Sequence, residues 1–148
     1  MNPANQNNPQ TIEARILTIR ILWLAMLMSI VVYFVFSRVA ERREGLESNP
    51  TISLTLICVA MLMVLVAFVI KSKLLSKAVE QQNTVMVQQA YVVALAINEV
   101  AALLGLLDFF LTNDRYYFVL LIIAAMGLLL HFPRREHVVN AAFKSSVM

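Results

Sequence analysis

Residues 86–111 read MVQQAYVVALAINEVAALLGLLDFFL, and this stretch decides the fold. It holds no lysine, arginine or proline. Wound as a helix it extends about 39 Å, enough to cross about 30 Å of bilayer hydrocarbon. Near its middle stands one carboxylate, Glu99. An acid at that depth is expensive and needs a reason.

At 3.6 residues per turn, Ala94, Asn98, Ala101 and Gly105 share one stripe, with Ala90 and Asp108 near its edge. Small residues at this spacing let a second helix come very close, and Asn98 reads as hydrogen-bonding glue between helices. Glu99 lies about 100° round from Asn98, beside Leu95, Ala102 and Leu106. The remaining face, including Val93, Ala96, Val100 and Leu107, is apolar and suited to lipid. Asp108 falls nearer the helix end, where it is expected to be hydrated or to cap the turn.

Three further apolar runs accompany this one, at residues 16–36, 52–70 and 116–130. The chain of 148 residues is 60% hydrophobic and only 14% charged, where a soluble domain carries about a quarter charged residues. Mean hydropathy is +0.75. The expected fold is an all-α integral membrane protein, an up-and-down bundle of four transmembrane helices at about 15–37, 51–72, 85–112 and 115–132. Residues 1–14 read as a disordered polar tail and 134–148 as a basic cytoplasmic tail. The second helix is expected to continue beyond the membrane to about Glu80. In the first helix Ala25, Ser29, Tyr33 and Ser37 are four apart and form one ridge, which points them at other helices. Asn49-Pro50 reads as a helix start, a capping side chain followed by proline at the first helical position.

The net charge is +3, and the positive residues flank apolar runs, which suits lipid headgroups rather than nucleic acid. Eight lysines and arginines (Arg15, Arg20, Lys71, Lys73, Lys77, Arg134, Arg135, Lys144) fall on one side of the expected topology. Four (Arg38, Arg42, Arg43, Arg115) fall on the other. Both termini are therefore expected in the cytoplasm, and a bacterial inner membrane is the expected location. The lone Cys58 reads as a small buried apolar residue.

Glu99 lies about 18–20 Å along its helix, too deep for its short side chain to reach the surface. It must be protonated, paired, or open to a wet cavity. Burial disfavours the charged form of a carboxyl, so such a group can bind and release a proton. The structural alternative is a neutral Glu99 that donates a hydrogen bond to a neighbouring helix or partner subunit. Arg20 lies too near the helix end to be its natural partner.

The segment from Ala94 to Leu107, with Glu99 followed six positions on by Gly105, resembles the carboxylate-bearing helix of rotary ATPase proteolipid (c-type) subunits. The resemblance implies that Glu99 would carry a proton or sodium ion. It covers one helix of the four. Residues 52–70 contain no glycine, where a proteolipid has a glycine-rich partner helix.

The chain has no nucleotide loop, no Cys–His cluster and no nucleophile–base arrangement, so catalysis is not expected. His131, at the end of the fourth helix, is the one candidate ligand for a haem or chlorophyll-type pigment. Otherwise no cofactor is expected, apart from lipid. By elimination, the sequence reads as an accessory or structural subunit of a larger membrane complex, with other membrane subunits and lipid as partners. The alternative is a proton- or ion-translocating subunit, or a small homo-oligomeric channel or carrier, that uses Glu99. A wetted path to Glu99 belongs to the second reading, and a dry site capped by a partner helix belongs to the first.

Overall fold

The structure is a computed structural model that describes residues 9–40, 49–112 and 115–143. Five helices follow in order: α1 (Pro9–Val39), α2 (Pro50–Glu80), α3 (Thr84–Leu111), α4 (Tyr117–Leu130) and α5 (Arg135–Ala142). Three of them, α1, α2 and α3, are long and apolar enough to cross a membrane. The short α4 joins them only when counted together with α5, from which it is bent by 43°. The chain is thus a small multi-pass α-helical membrane protein, with three such helices among the described residues, or four if α4 and α5 form one bent span.

Local chemistry sets the helix ends. Asn49 caps α2 by accepting the Ile52 N–H at 3.4 Å, and Pro50 takes the first helical position, where its missing N–H costs nothing. At the other end Gln82 adopts φ 48°, a left-handed conformation that stops α2. The next residue, Asn83, caps α3, its side-chain oxygen accepting the Val85 and Met86 N–H groups at 3.0 and 3.3 Å. The result is a tight α2–α3 hairpin. The backbone N–H of His131 returns to the carbonyls of Gly127 and Leu128, closing α4 before Pro133.

Two boundaries differ from the sequence expectation. Helix α1 begins at Pro9, ahead of residue 15, because Ile12 and Ile16 are buried against other helices and extend its apolar stripe. Residues 1–8 of the expected tail lie outside the described residues. Likewise 135–142 form a helix rather than a tail, with Val138, Ala141 and Ala142 buried against the start of α1, the end of α2 and the start of α3.

Helices α2, α3 and α4 pack on one another, and α1 lies along α3 and α4. Burial is concentrated on α3 and α4, whereas α1 and α2 turn Leu24, Met28, Val32, Leu62, Leu65 and Phe68 outward, as residues that meet lipid should. Cys58 is exposed on α2, not buried. Among the described residues its face of the helix is left uncovered, as for the neighbouring Leu54, Met61 and Leu62. The small stripe of α3 is fully buried at Ala90, Ala94, Asn98, Ala101 and Gly105. A Cβ on Gly105 would stand 3.0 Å from the Leu120 Cβ, so α3 and α4 are in close contact there. Gly127 of α4 makes the second close approach. A Cβ at that position would collide with the Asn98 side-chain oxygen and stand 3.1 Å from Val64.

Gly127→Ala should therefore destabilise the bundle by about 1–3 kcal/mol, the usual cost of overpacking. Pairing it with Asn98→Ala, which removes the obstructing oxygen, should recover part of that loss. Thermal unfolding of the two single variants and the double variant in mild detergent measures the coupling. Strictly additive effects would refute the proposed contact.

Candidate functional site

Glu99 projects from α3 toward α1, where Ser29 and Tyr33 meet it one helical turn apart. The Tyr33 hydroxyl donates to Glu99 Oε1 at 2.5 Å, a short bond of the kind made to a carboxyl oxygen. Ser29 Oγ lies 2.8 Å from each of the two carboxyl oxygens and 2.7 Å from the Met26 carbonyl oxygen. The site is half-buried and opens on the outer surface of the α1–α3 seam. Arg20 is exposed and takes no part.

Counting hydrogens shows what this arrangement can do. Ser29 has one hydroxyl hydrogen and three acceptors within reach. When that hydrogen goes to Met26 O, a protonated Glu99 can donate its own to Ser29 Oγ, while Tyr33 still donates to Oε1. When Glu99 is ionised, Ser29 and Tyr33 can both turn their hydrogens onto the carboxylate. Either protonation state gives every polar hydrogen an acceptor without moving a heavy atom. Among the described residues no three His, Cys, Asp or Glu side chains gather here to hold a metal ion.

The other acid of α3 is placed quite differently. Asp108 is fully buried and faces α2, where Ser53 donates to its Oδ1 at 2.8 Å. The Thr112 hydroxyl, one turn further along α3, lies 3.1 Å from the same oxygen. The hydrated alternative expected for Asp108 is thus replaced by a closed Ser53–Asp108–Thr112 cluster. Sequence reading passed over it, although Ser53 in an apolar helix and the four-residue spacing of Asp108 and Thr112 were the available signals.

Asn98 also departs from its expected role. Its amide nitrogen donates to Ala94 O of its own helix at 2.9 Å, and its oxygen packs against Gly127 without a hydrogen-bond partner. It shapes the α3–α4 contact by fit rather than by a cross-helix hydrogen bond. The Ala94 and Ala101 side chains are buried alongside it. Of the ridge on α1, Ser29 and Tyr33 reach Glu99 and Ser37 is buried, but Ala25 is exposed. Trp23 ties α1 to α4 by donating its indole N–H to Leu128 O at 2.7 Å.

His131 is fully buried, with Nδ1 2.6 Å from Gly127 O and the Phe68 ring edge-on at 6.3 Å. Its Nε2, the nitrogen that would face a pigment's metal, is buried inside the bundle and has no hydrogen-bond partner among the described residues. At the same end Tyr91, also fully buried, lies 2.6 Å from His137 Nδ1 and accepts the Arg134 backbone N–H at 3.2 Å. The sequence reading assigned Tyr91 no role.

Scans against family models, curated proteins and solved structures return no match to this chain.

Asp108→Ala should cost about 1–3 kcal/mol by leaving buried Ser53 without its carboxyl acceptor. Asp108→Asn retains an oxygen at Oδ1 and should stay near wild type. Thermal unfolding in detergent separates them, and equal behaviour of the two variants would show that the buried cluster does not bear on stability.

Proposed function

We propose that this chain handles protons in the membrane, as a proton-translocating subunit or a small homo-oligomeric carrier in which Glu99 is the exchanging group. One observation carries the reading: Glu99, half-exposed, is held between two hydroxyls of a different helix that can serve both its protonated and its ionised form. A purely structural carboxyl needs only one state. The half-exposed setting adds support, since among the described residues no further helix closes over the site. The local resemblance of α3 to a proteolipid helix points the same way. Ser29 and Tyr33 are the positioning residues, and Tyr33 holds the carboxyl oriented through the exchange. On this reading the chain sits in a bacterial inner membrane with both termini cytoplasmic, and α4 continues into the cytoplasmic α5.

The accessory-subunit reading makes Glu99 a contact for another protein, and the two separate on replacement of the acid. Glu99→Gln keeps a hydrogen-bonding group of the same size. With the protein in lipid, an infrared carboxyl band should titrate reversibly with pH in the wild type and be missing from Glu99→Gln. In proteoliposomes with an internal pH dye, proton uptake driven by an imposed potential should fall to background in Glu99→Gln with the fold intact. Tyr33→Phe should retain the band but alter its pH dependence. A Glu99 band that does not change across the accessible pH range, together with unaltered uptake in Glu99→Gln, refutes the proposal and returns Glu99 to a structural role.

A further inference from the structure

At the end of the bundle where α4 turns into α5, a cavity of about 290 Å³ is walled by Phe68, Lys71, Leu130, Phe132, Arg134 and His137. Lys71 is only 6% exposed. A lysine so far out of water is normally paired. Its ammonium lies 4.4 Å over the Tyr91 ring, a favourable contact that leaves its charge unneutralised. Among the described residues the ion pair formed is Arg135 with Glu13, at 2.6 Å, and neither Lys71 nor Arg134 has a carboxylate partner. The acids nearest in the chain do not supply one. Glu13 is engaged by Arg135, Glu80 is exposed beyond the end of the cavity, and Glu136 is exposed beside His137 on α5.

The cationic wall is built rather than incidental. Tyr91 holds the Arg134 backbone N–H and the His137 ring on one hydroxyl. With its oxygen accepting from Arg134, its hydrogen goes to His137 Nδ1, which leaves His137 Nε2–H as a donor. Three donor-bearing side chains from α2, the α4–α5 corner and α5 therefore line one small cavity. Its other wall is apolar, and Phe68, Leu130 and Phe132 are exposed toward the lipid-facing surface.

We infer that this cavity binds an anionic phosphate, the headgroup of an acidic phospholipid or free phosphate, with Lys71, Arg134 and His137 as its ligands. A guanidinium beside an ammonium suits the several oxygens of a phosphate, and basic pockets between membrane helices are where acidic headgroups lodge. The exposed Phe68, Leu130 and Phe132 give a lipid's chains a surface to follow. The site is independent of Glu99, which lies well along α3 from Tyr91 toward the opposite end.

The test is native mass measurement of the protein in neutral detergent after addition of phosphatidylglycerol or phosphatidylcholine, with and without inorganic phosphate. Wild type should retain phosphatidylglycerol in preference to phosphatidylcholine. Lys71→Met, which keeps the apolar stem, and Arg134→Gln at an exposed side chain should each weaken retention about fivefold or more. Lys77→Gln, on an exposed lysine two turns away, controls for net charge and should leave retention unchanged. Displacement of the lipid by inorganic phosphate would show that the site accepts free phosphate, and resistance to it would show that the headgroup is the ligand. Equal retention of the two lipids, or wild-type preference in both Lys71→Met and Arg134→Gln with circular dichroism unchanged, overturns the inference.

Discussion

Leucine gains little by leaving lipid for another helix, so this bundle cannot be held by hydrophobic burial in the way a soluble one is. It must be held by close backbone approach and by polar groups that have nowhere better to go. Helix α3 supplies both. Its alanine and glycine stripe admits α2 and α4 to close range, and Gly127 lets α4 settle against Asn98. The large apolar side chains do the opposite work, facing outward on α1 and α2 where they cost nothing. Helix α1, with less close packing, is attached by directed bonds: Trp23 to a carbonyl of α4, and Ser29 and Tyr33 to Glu99. The bond network around Glu99 is therefore part of what seats α1, whatever else the carboxyl does.

What could be read from the sequence follows from this division. Length and hydropathy report directly on the bilayer, so the apolar helices and the α3 stripe were legible from spacing alone. The importance of Glu99 was legible too, because a mid-helix carboxylate stands out against alanine and leucine. Its partners were only half legible. Ser29 and Tyr33 were recognisable as a ridge aimed inward, but which helix they would meet depends on how α1 lies across α3 and α4, and hydrophobic periodicity does not encode that. The same limit hid Ser53–Asp108. Each residue sits near a helix end, where hydration is the default expectation, and only the antiparallel pairing of α2 with α3 brings them together. Helix α5 was missed for another reason. Its eight residues carry mixed charge, and its alanines and valine become a packing face only once the ends of three other helices present a surface for them.

The two acids of α3 then make a comparison within one helix. They are nine residues apart, which places them about 180° round the axis and about 13–14 Å along it. Each meets hydroxyl groups, Asp108 facing α2 and Glu99 facing α1. The chemistry is alike, and the surroundings are not. Asp108 has no exposure and one of its oxygens has no partner, although the Thr112 hydroxyl can turn to Asp108 O, to its Oδ1 or to Ser53. Both oxygens of Glu99 are engaged, and its serine can send its hydrogen in either of two directions. A carboxyl that only joins helices is adequately served by the first kind of site. The second kind adds an opening to the surroundings, a feature that contributes nothing to holding two helices together. That difference, between two otherwise similar acid–hydroxyl contacts on the same helix, is the physical reason to propose Glu99 rather than Asp108 as the proton-exchanging group.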